Sequence, residues 1–186
     1  MTKINKIFTK DLLNEIDRRI LLHHELYESI KIKSTYWEHI LVASFEKTGH
    51  KNIEWEAESH SQGVDVKVDG ISISCKSGKK VKKNRFTFSS YRTTKYKTLE
   101  EKLEFLNDKK EDCFLFLNSE KNHYDIYHLD RDYFNFDENN IKWEKTNSGW
   151  KGTGKFDIKI VKAMSDQVWI EMPLSDLTLL KTVKLK

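Results

Sequence analysis

The chain has 186 residues, a third of them charged, with a formal net charge of +4, one proline and seven glycines. That length gives one domain enough residues for a core, and the composition excludes a disordered or collagen-like chain. No apolar run approaches the ~20 residues of a membrane span, and the N-terminus lacks a signal-peptide core. The two cysteines, Cys75 and Cys113, fall in strand-like apolar runs and read as reduced core residues. The expectation is a soluble cytoplasmic protein with no membrane partner.

From about Lys10 to Ile30, Leu12, Leu13, Ile16, Ile20, Leu21, Leu22, Leu26 and Tyr27 recur at helical spacing and predict one long amphipathic helix. His23 and His24 are neighbours within it, diverge by about 100° around the axis, and are poorly placed to share a metal. Ser34 is read as the cap of a second helix running to about Lys47, with Gly49 as the stop signal. Glu38 precedes Leu41, Val42 and Phe45 by three, four and seven residues, so its carboxylate enters an apolar stripe. Burying it there is costly unless something binds it. The alternative is a solvated acid favoured by the helix dipole; the apolar setting favours a functional carboxylate.

Ile53 to Glu58 alternates and reads as a strand, followed by a loop in which His60 is either solvated or within reach of the site. The stretch Gly63–Lys76 organises the chain. Val64, Val66 and Val68, then Ile71, Ile73 and Cys75, alternate with polar residues, and Asp69-Gly70 between them signals a two-residue type I′ turn. The turn pairs Val68 with Ile71, Lys67 with Ser72, Val66 with Ile73 and Asp65 with Ser74, and puts Lys76 diagonal to Asp65 on one face. An acid and a lysine gathered this way suit a metal-dependent phosphodiesterase; the bland alternative is a surface hairpin with an incidental ion pair.

Between Lys76 and Lys97 the chain carries nine cations and no acid. Lys79, Lys80, Lys82, Lys83, Arg85, Arg92 and Lys95, with the hydroxyls of Ser89 and Ser90, are the candidate contacts to phosphates of double-stranded DNA; the bland alternative is a solvated loop. Thr98-Leu99-Glu100-Glu101 is a capping box opening a helix over about 98–109, and Cys113 to Leu117 is a continuous apolar strand. Tyr124 to Leu129 follows as a strand. The segment Tyr133 to Phe156 is either a partner or DNA surface or a long hairpin excursion. Phe156 to Ile160 and Gln167 to Met172 read as late strands, after which Pro173 opens a closing segment, Leu174 to Leu180.

The order helix (34–48), strand (53–58), strand (64–68), strand (71–76), helix (98–109), strand (112–118) resembles the α-β-β-β-α-β core of the PD-(D/E)XK nuclease superfamily. The resemblance covers about half the chain. It implies an α/β fold of restriction-endonuclease type, with a mixed central sheet flanked by helices. The single domain 1–186 would have its core at about 34–118, an N-terminal helix at 10–31 and C-terminal β additions at 119–186. It implies a site of Asp65, Lys76 and Glu38. Mg²⁺, with Mn²⁺ as substitute, would be held by Asp65, Glu38 and a backbone carbonyl near Cys75. Ser74 stands where the superfamily usually has Glu or Asp two residues before the lysine; it is a neutral, weak ligand, which leaves Asp65 and Glu38 as the carboxylate pair and gives Ser74 a hydrogen-bonding role. More narrowly, the chain resembles the small, strand-cleaving subunit of a heterodimeric type IIS restriction endonuclease, which implies a larger partner that recognises the sequence. A catalytically silent DNA-binding or assembly subunit, or a homodimeric repair or restriction nuclease, is the alternative on the same fold.

Overall fold

The computed structural model describes residues 7–27, 30–55, 64–137 and 139–185. The chain divides into two compact units, one formed by Met1–Ser77, Glu111–Arg131 and Thr178–Lys186 and the other by Gly78–Lys110 and Asp132–Leu177.

In the first unit, α1 (Lys10–Leu26) is capped by Thr9, whose hydroxyl accepts from the Leu12 N–H. It buries Leu12, Ile16 and Ile20. The helix stops at Leu26 rather than continuing to Ile30: Tyr27 leaves helical geometry while its N–H closes on the His23 carbonyl. Leu26 and Tyr27 are exposed, so the apolar spacing overran the face that packs. α2 (Ser34–Lys47) is capped by the backbone of Lys33, not by Ser34, which is already helical; the Ser34 Oγ lies 3.4 Å from the Ser77 Oγ. Trp37, Leu41 and Phe45 are fully buried on this helix, and the Trp37 indole donates to the Leu115 carbonyl. At roughly 1.5–3 kcal/mol per buried large side chain, these residues hold α2 to the sheet.

The strands β1 (Ile53–Glu54), β2 (Val66–Val68), β3 (Ile71–Val81), β5 (Cys113–Ser119), β6 (His123–Asp130) and β11 (Thr178–Lys184) complete this unit, with β3 continuing beyond it. Their order is β11-β6-β5-β3, with β2 pairing β3 and β1 pairing β2. The β2–β3 register is the one the turn predicts: Val66 to Ile73, Lys67 to Ser72 and Val68 to Ile71. Asp69 and Gly70 have φ of 49° and 79°, the positive pair a type I′ turn demands. His50 Nδ1 at 2.6 Å from Asp69 Oδ2 ties the turn down. The strand expected over 53–58 is seen at Ile53–Glu54; residues 56–63, including His60, lie outside the described residues.

In the second unit the far half of β3 pairs with β4 (Arg85–Arg92) through a turn with Lys83 and Asn84 at positive φ. The basic stretch is therefore an ordered β-hairpin. Its strand β4 enters between the Asp65 hairpin and α3 (Leu99–Asn107), so the elements from α2 run α-β-β-β-β-α-β rather than α-β-β-β-α-β. α3 opens with the expected capping box, Thr98 with Glu101, and buries Leu99, Leu103 and Leu106. Next to β4 come β10 (Gln167–Pro173), β9 (Asp157–Val161), β8 (Gly149–Gly154) and β7 (Ile141–Thr146). The segment 133–156 thus contains the β7–β8 hairpin. Pro173 ends β10, paired with Arg85, and is also the N-cap of a 3₁₀ turn over Leu174–Asp176 that leads into β11. Phe134, Phe136 and Phe156 meet at ring-centroid distances of 5.0–5.8 Å and anchor this unit's core.

Gly78 faces the buried Phe86 ring so closely that an added Cβ would lie 1.9 Å from Phe86 Cζ. Gly78→Ala is expected to destabilise the protein by about 1–3 kcal/mol, the usual cost of overpacking, read from thermal or urea unfolding. An unchanged midpoint would mean that the ring moves aside.

Candidate functional site

The hairpin delivers Asp65 to its partners through a small irregularity. The ladder ends at Val66–Ile73, and the Asp65 N–H donates to the Ile73 carbonyl at 2.9 Å. The carboxylate then lies over the neighbouring strand, where three donors converge on Oδ2. These are the Cys75 backbone N–H at 2.6 Å, Lys76 Nζ at 2.9 Å and Ser74 Oγ at 3.2 Å. Charge-assisted bonds of this length are among the strong ones and fix the carboxylate's orientation. Among the described residues no donor reaches Oδ1, and the Asp65 side chain keeps 18% exposure, so that oxygen faces outward. Lys76 is held equally, with 18% of its side chain exposed.

Glu38 arrives from α2. It is half-buried beside Leu41, Val42 and Phe45, as its spacing implied. Burial raises its pKa above the usual carboxylate value, the Asp65 charge raises it further, and Lys76 and Trp55 partly oppose this. Asp65, Lys76 and Glu38 therefore share one electrostatic neighbourhood. Trp55, which alternation alone marks as a core residue, joins the site with no signal in its local pattern. Its ring packs edge-on against His39 of α2, with centroids 4.6 Å apart. Its indole N–H is buried without a well-formed hydrogen bond, yet close enough to Glu38 to favour the ionised acid.

Ser74 is fully buried, so it serves Asp65 by hydrogen bonding. The Cys75 side chain is a core thiol whose burial pushes its pKa well up; only its backbone belongs to the site. No group of three His, Cys, Asp or Glu side chains of metal-binding geometry occurs among the described residues. The donor set still fits Mg²⁺: a hard, outward-facing carboxylate oxygen stands near a second carboxylate that disfavours its own charge, and Mg²⁺ commonly binds through one or two carboxylates plus waters. Asp65, Glu38 and the Cys75 carbonyl are the residues that would hold it.

Glu38 supplies a pH test. An acid whose folded-state pKa exceeds its unfolded value binds protons more tightly when folded. Stability is then lost as pH rises through the unfolded pKa, and the penalty is complete above the folded one. Glu38→Gln is expected to raise the melting temperature at neutral pH in chelator and to change little at acidic pH, measured by paired thermal melts. An equal shift at both pH values would show that ionisation is not the cause.

The candidate phosphate contacts lie from β3 to the loop after β4. Lys79, Lys82, Lys83 and Lys95 are exposed, with Lys82 and Lys83 at the hairpin tip. Lys80 and Ser89 are half-buried. Arg85 is engaged within the protein, bonding Glu171 Oε1 and Asp157 Oδ2 at 2.6 Å each. Ser90 is half-buried and its carbonyl accepts from Gln167, while Arg92 is exposed with Nε 3.3 Å from Gln167 Oε1. The buried Lys102 pins the loop that follows by bonding the Thr93 and Tyr96 carbonyls and Asp166.

No family model matches the chain, and neither does any curated protein. Among solved structures it is similar to a restriction endonuclease in complex with substrate DNA. The TM-score is 0.53 at 16% identity, over 93% of this chain and 90% of that one. The similarity defines the class by architecture: the chain has a restriction-endonuclease-like α/β fold, with three α-helices among the described residues. None of the described helices is long and apolar enough to cross a membrane.

Proposed function

We propose that this protein is a metal-dependent nuclease that hydrolyses DNA phosphodiester bonds. The observation that carries the reading is the Asp65 carboxylate, fixed by Lys76, Ser74 and the Cys75 N–H with one oxygen facing outward, beside the half-buried Glu38. Asp65, Glu38 and the Cys75 carbonyl would hold Mg²⁺ or Mn²⁺, which when bound would supply polarisation of the scissile phosphate. Lys76 orients the attacking water and stabilises the charge that develops on the phosphate oxygens in the transition state. Ser74 and the Cys75 N–H keep the Asp65 carboxylate from rotating away. Lys79, Lys82, Lys83 and Lys95 contact backbone phosphates, so DNA binding weakens steeply with salt.

One such centre cuts one strand per engagement, and we assign the protein the role of a strand-cleaving small subunit of a type IIS-like restriction endonuclease. A larger subunit would read the sequence in the cytoplasm. Ser74, buried and neutral at the usual acidic position, favours a second reading, a catalytically silent DNA-binding or assembly subunit. Nicking of supercoiled plasmid with Mg²⁺ separates them, with the protein alone and then mixed with candidate large subunits from the same host. Cleavage that appears only in the mixture and is lost there when Asp65 is replaced supports the subunit role. Product from the protein alone means a self-sufficient nuclease, and no Asp65-dependent cut in either arm supports the silent reading.

A further inference from the structure

The second unit carries a cavity of about 540 Å³ that the proposed cleavage centre does not use. Strand alternation makes it. Phe86, Phe88, Ile158, Ile170 and Met172 turn to the buried face of the sheet, and their neighbours turn to the other. On that open face Trp169 of β10 stands opposite Lys159 of β9, and Lys159 stands opposite Lys151 of β8. In the next row Thr87, Glu171 and Asp157 follow one another across β4, β10 and β9. All six side chains line the cavity, whose size lies within the range of small-ligand pockets.

Two features of this face lack a folding rationale. Lysines directly opposite each other repel across strands. Glu144 relieves Lys151 at 3.0 Å, whereas Lys159 is exposed and pairs with no acid among the described residues. A tryptophan left half-exposed between such cations offers a broad apolar plane. The acids of the second row do not make the pocket a cation site, because Arg85 bonds both of them at 2.6 Å. Each carboxylate keeps a second oxygen able to accept from an amino group, as acidic side chains do with the cytosine amine. Lys79 is paired with Thr87 on the same face, so cations flank the pocket on both sides, from β3 to β8. That is four strand spacings, roughly 19 Å.

We propose that this face binds an unpaired nucleotide of a DNA strand. Its base stacks on Trp169, its amino groups meet Asp157 and Glu171, and the adjoining phosphates lie on Lys159 and Lys151 to one side and Lys79 to the other. DNA as the ligand rests on the proposed function; the face itself shares no residue with the Asp65 centre. Aromatic platforms between cations are how proteins hold single strands, each base adding a sequence-tolerant stacking term.

Fluorescence anisotropy tests this on the full chain with a short labelled single strand and an otherwise identical strand of abasic sites. Wild type is expected to prefer the base-containing strand by roughly tenfold or more. Trp169→Ala should lose that preference, Trp169→Phe should recover most of it, and Lys159→Glu should weaken both strands. Binding is measured without Mg²⁺, where no strand is cut, so it is read apart from the cleavage reading. Equal affinity of wild type for the two strands, or no binding of either, overturns the proposal whatever the nicking assay shows. A Trp169→Ala protein that folds and keeps the preference overturns it too.

Discussion

Asp65→Asn is expected to lower strand cleavage by about 10³-fold or more while leaving the fold and DNA affinity close to wild type. The magnitude is the upper end of what losing one group at the reacting atoms costs. Asparagine is the informative substitution because Asp65 has two tasks. Its Oδ2 accepts from the Cys75 N–H at 2.6 Å, and alanine would strand that backbone donor at a cost of about 1–3 kcal/mol. The amide oxygen of Asn still accepts that bond but carries no charge to hold a cation. A single-turnover assay on a labelled duplex, read beside anisotropy binding and a thermal melt, separates the two tasks. Loss of cleavage with the melt unchanged places Asp65 in the chemistry; parallel loss of cleavage and stability would reduce it to a hairpin anchor.

Lys76→Gln should lower turnover by about 10²–10³-fold, the cost of one missing transition-state donor, with a much smaller change in binding. The ammonium is held at 2.9 Å from Asp65 and only 18% of its side chain is exposed, so it is a positioned group rather than a mobile surface cation. A phosphate contact of the hairpin tip, Lys82→Gln, should behave in the opposite way. It should weaken binding modestly and lower the salt slope by about one unit, with single-turnover rate at saturation unchanged. If Lys76→Gln and Lys82→Gln shift binding and rate alike, Lys76 is only another phosphate contact.

The Asp65 hairpin was legible because its information is local. Period-2 alternation set the faces, and Asp69-Gly70 set the register from Val68–Ile71 to Val66–Ile73; the expected Asp65–Ser74 pair gives way to an Asp65 N–H bond to the Ile73 carbonyl. Thr98 and Glu101 marked the start of α3 for the same reason, since a capping box is contained in four residues. The basic stretch hid β4. Its alternation rests on Phe86 and Phe88 and breaks at Ser89–Ser90, and the Lys83–Asn84 turn has no glycine to announce it. The C-terminal end of α1 and the cap of α2 were misplaced because spacing reports periodicity, whereas Tyr27 and Lys33 act through backbone geometry. At the site, Glu38 could be found from its place in an apolar stripe, but Trp55 could not. Its influence comes from packing between segments distant in sequence, which alternation does not encode. Arg85 reads as a phosphate contact in a run of cations, and only the pairing of β4 with β10 shows the two acids that engage it.

The most direct measurement of the cleavage centre is conversion of supercoiled plasmid to open circle by wild type and Asp65→Asn. Both are assayed with Mg²⁺ and with chelator, alone and with a candidate large subunit present, at protein concentrations giving equal DNA occupancy. The predicted result is Mg²⁺-dependent nicking by wild type that Asp65→Asn loses in every mixture. Nicking by Asp65→Asn at the wild-type rate would contradict it and move the chemistry away from the hairpin.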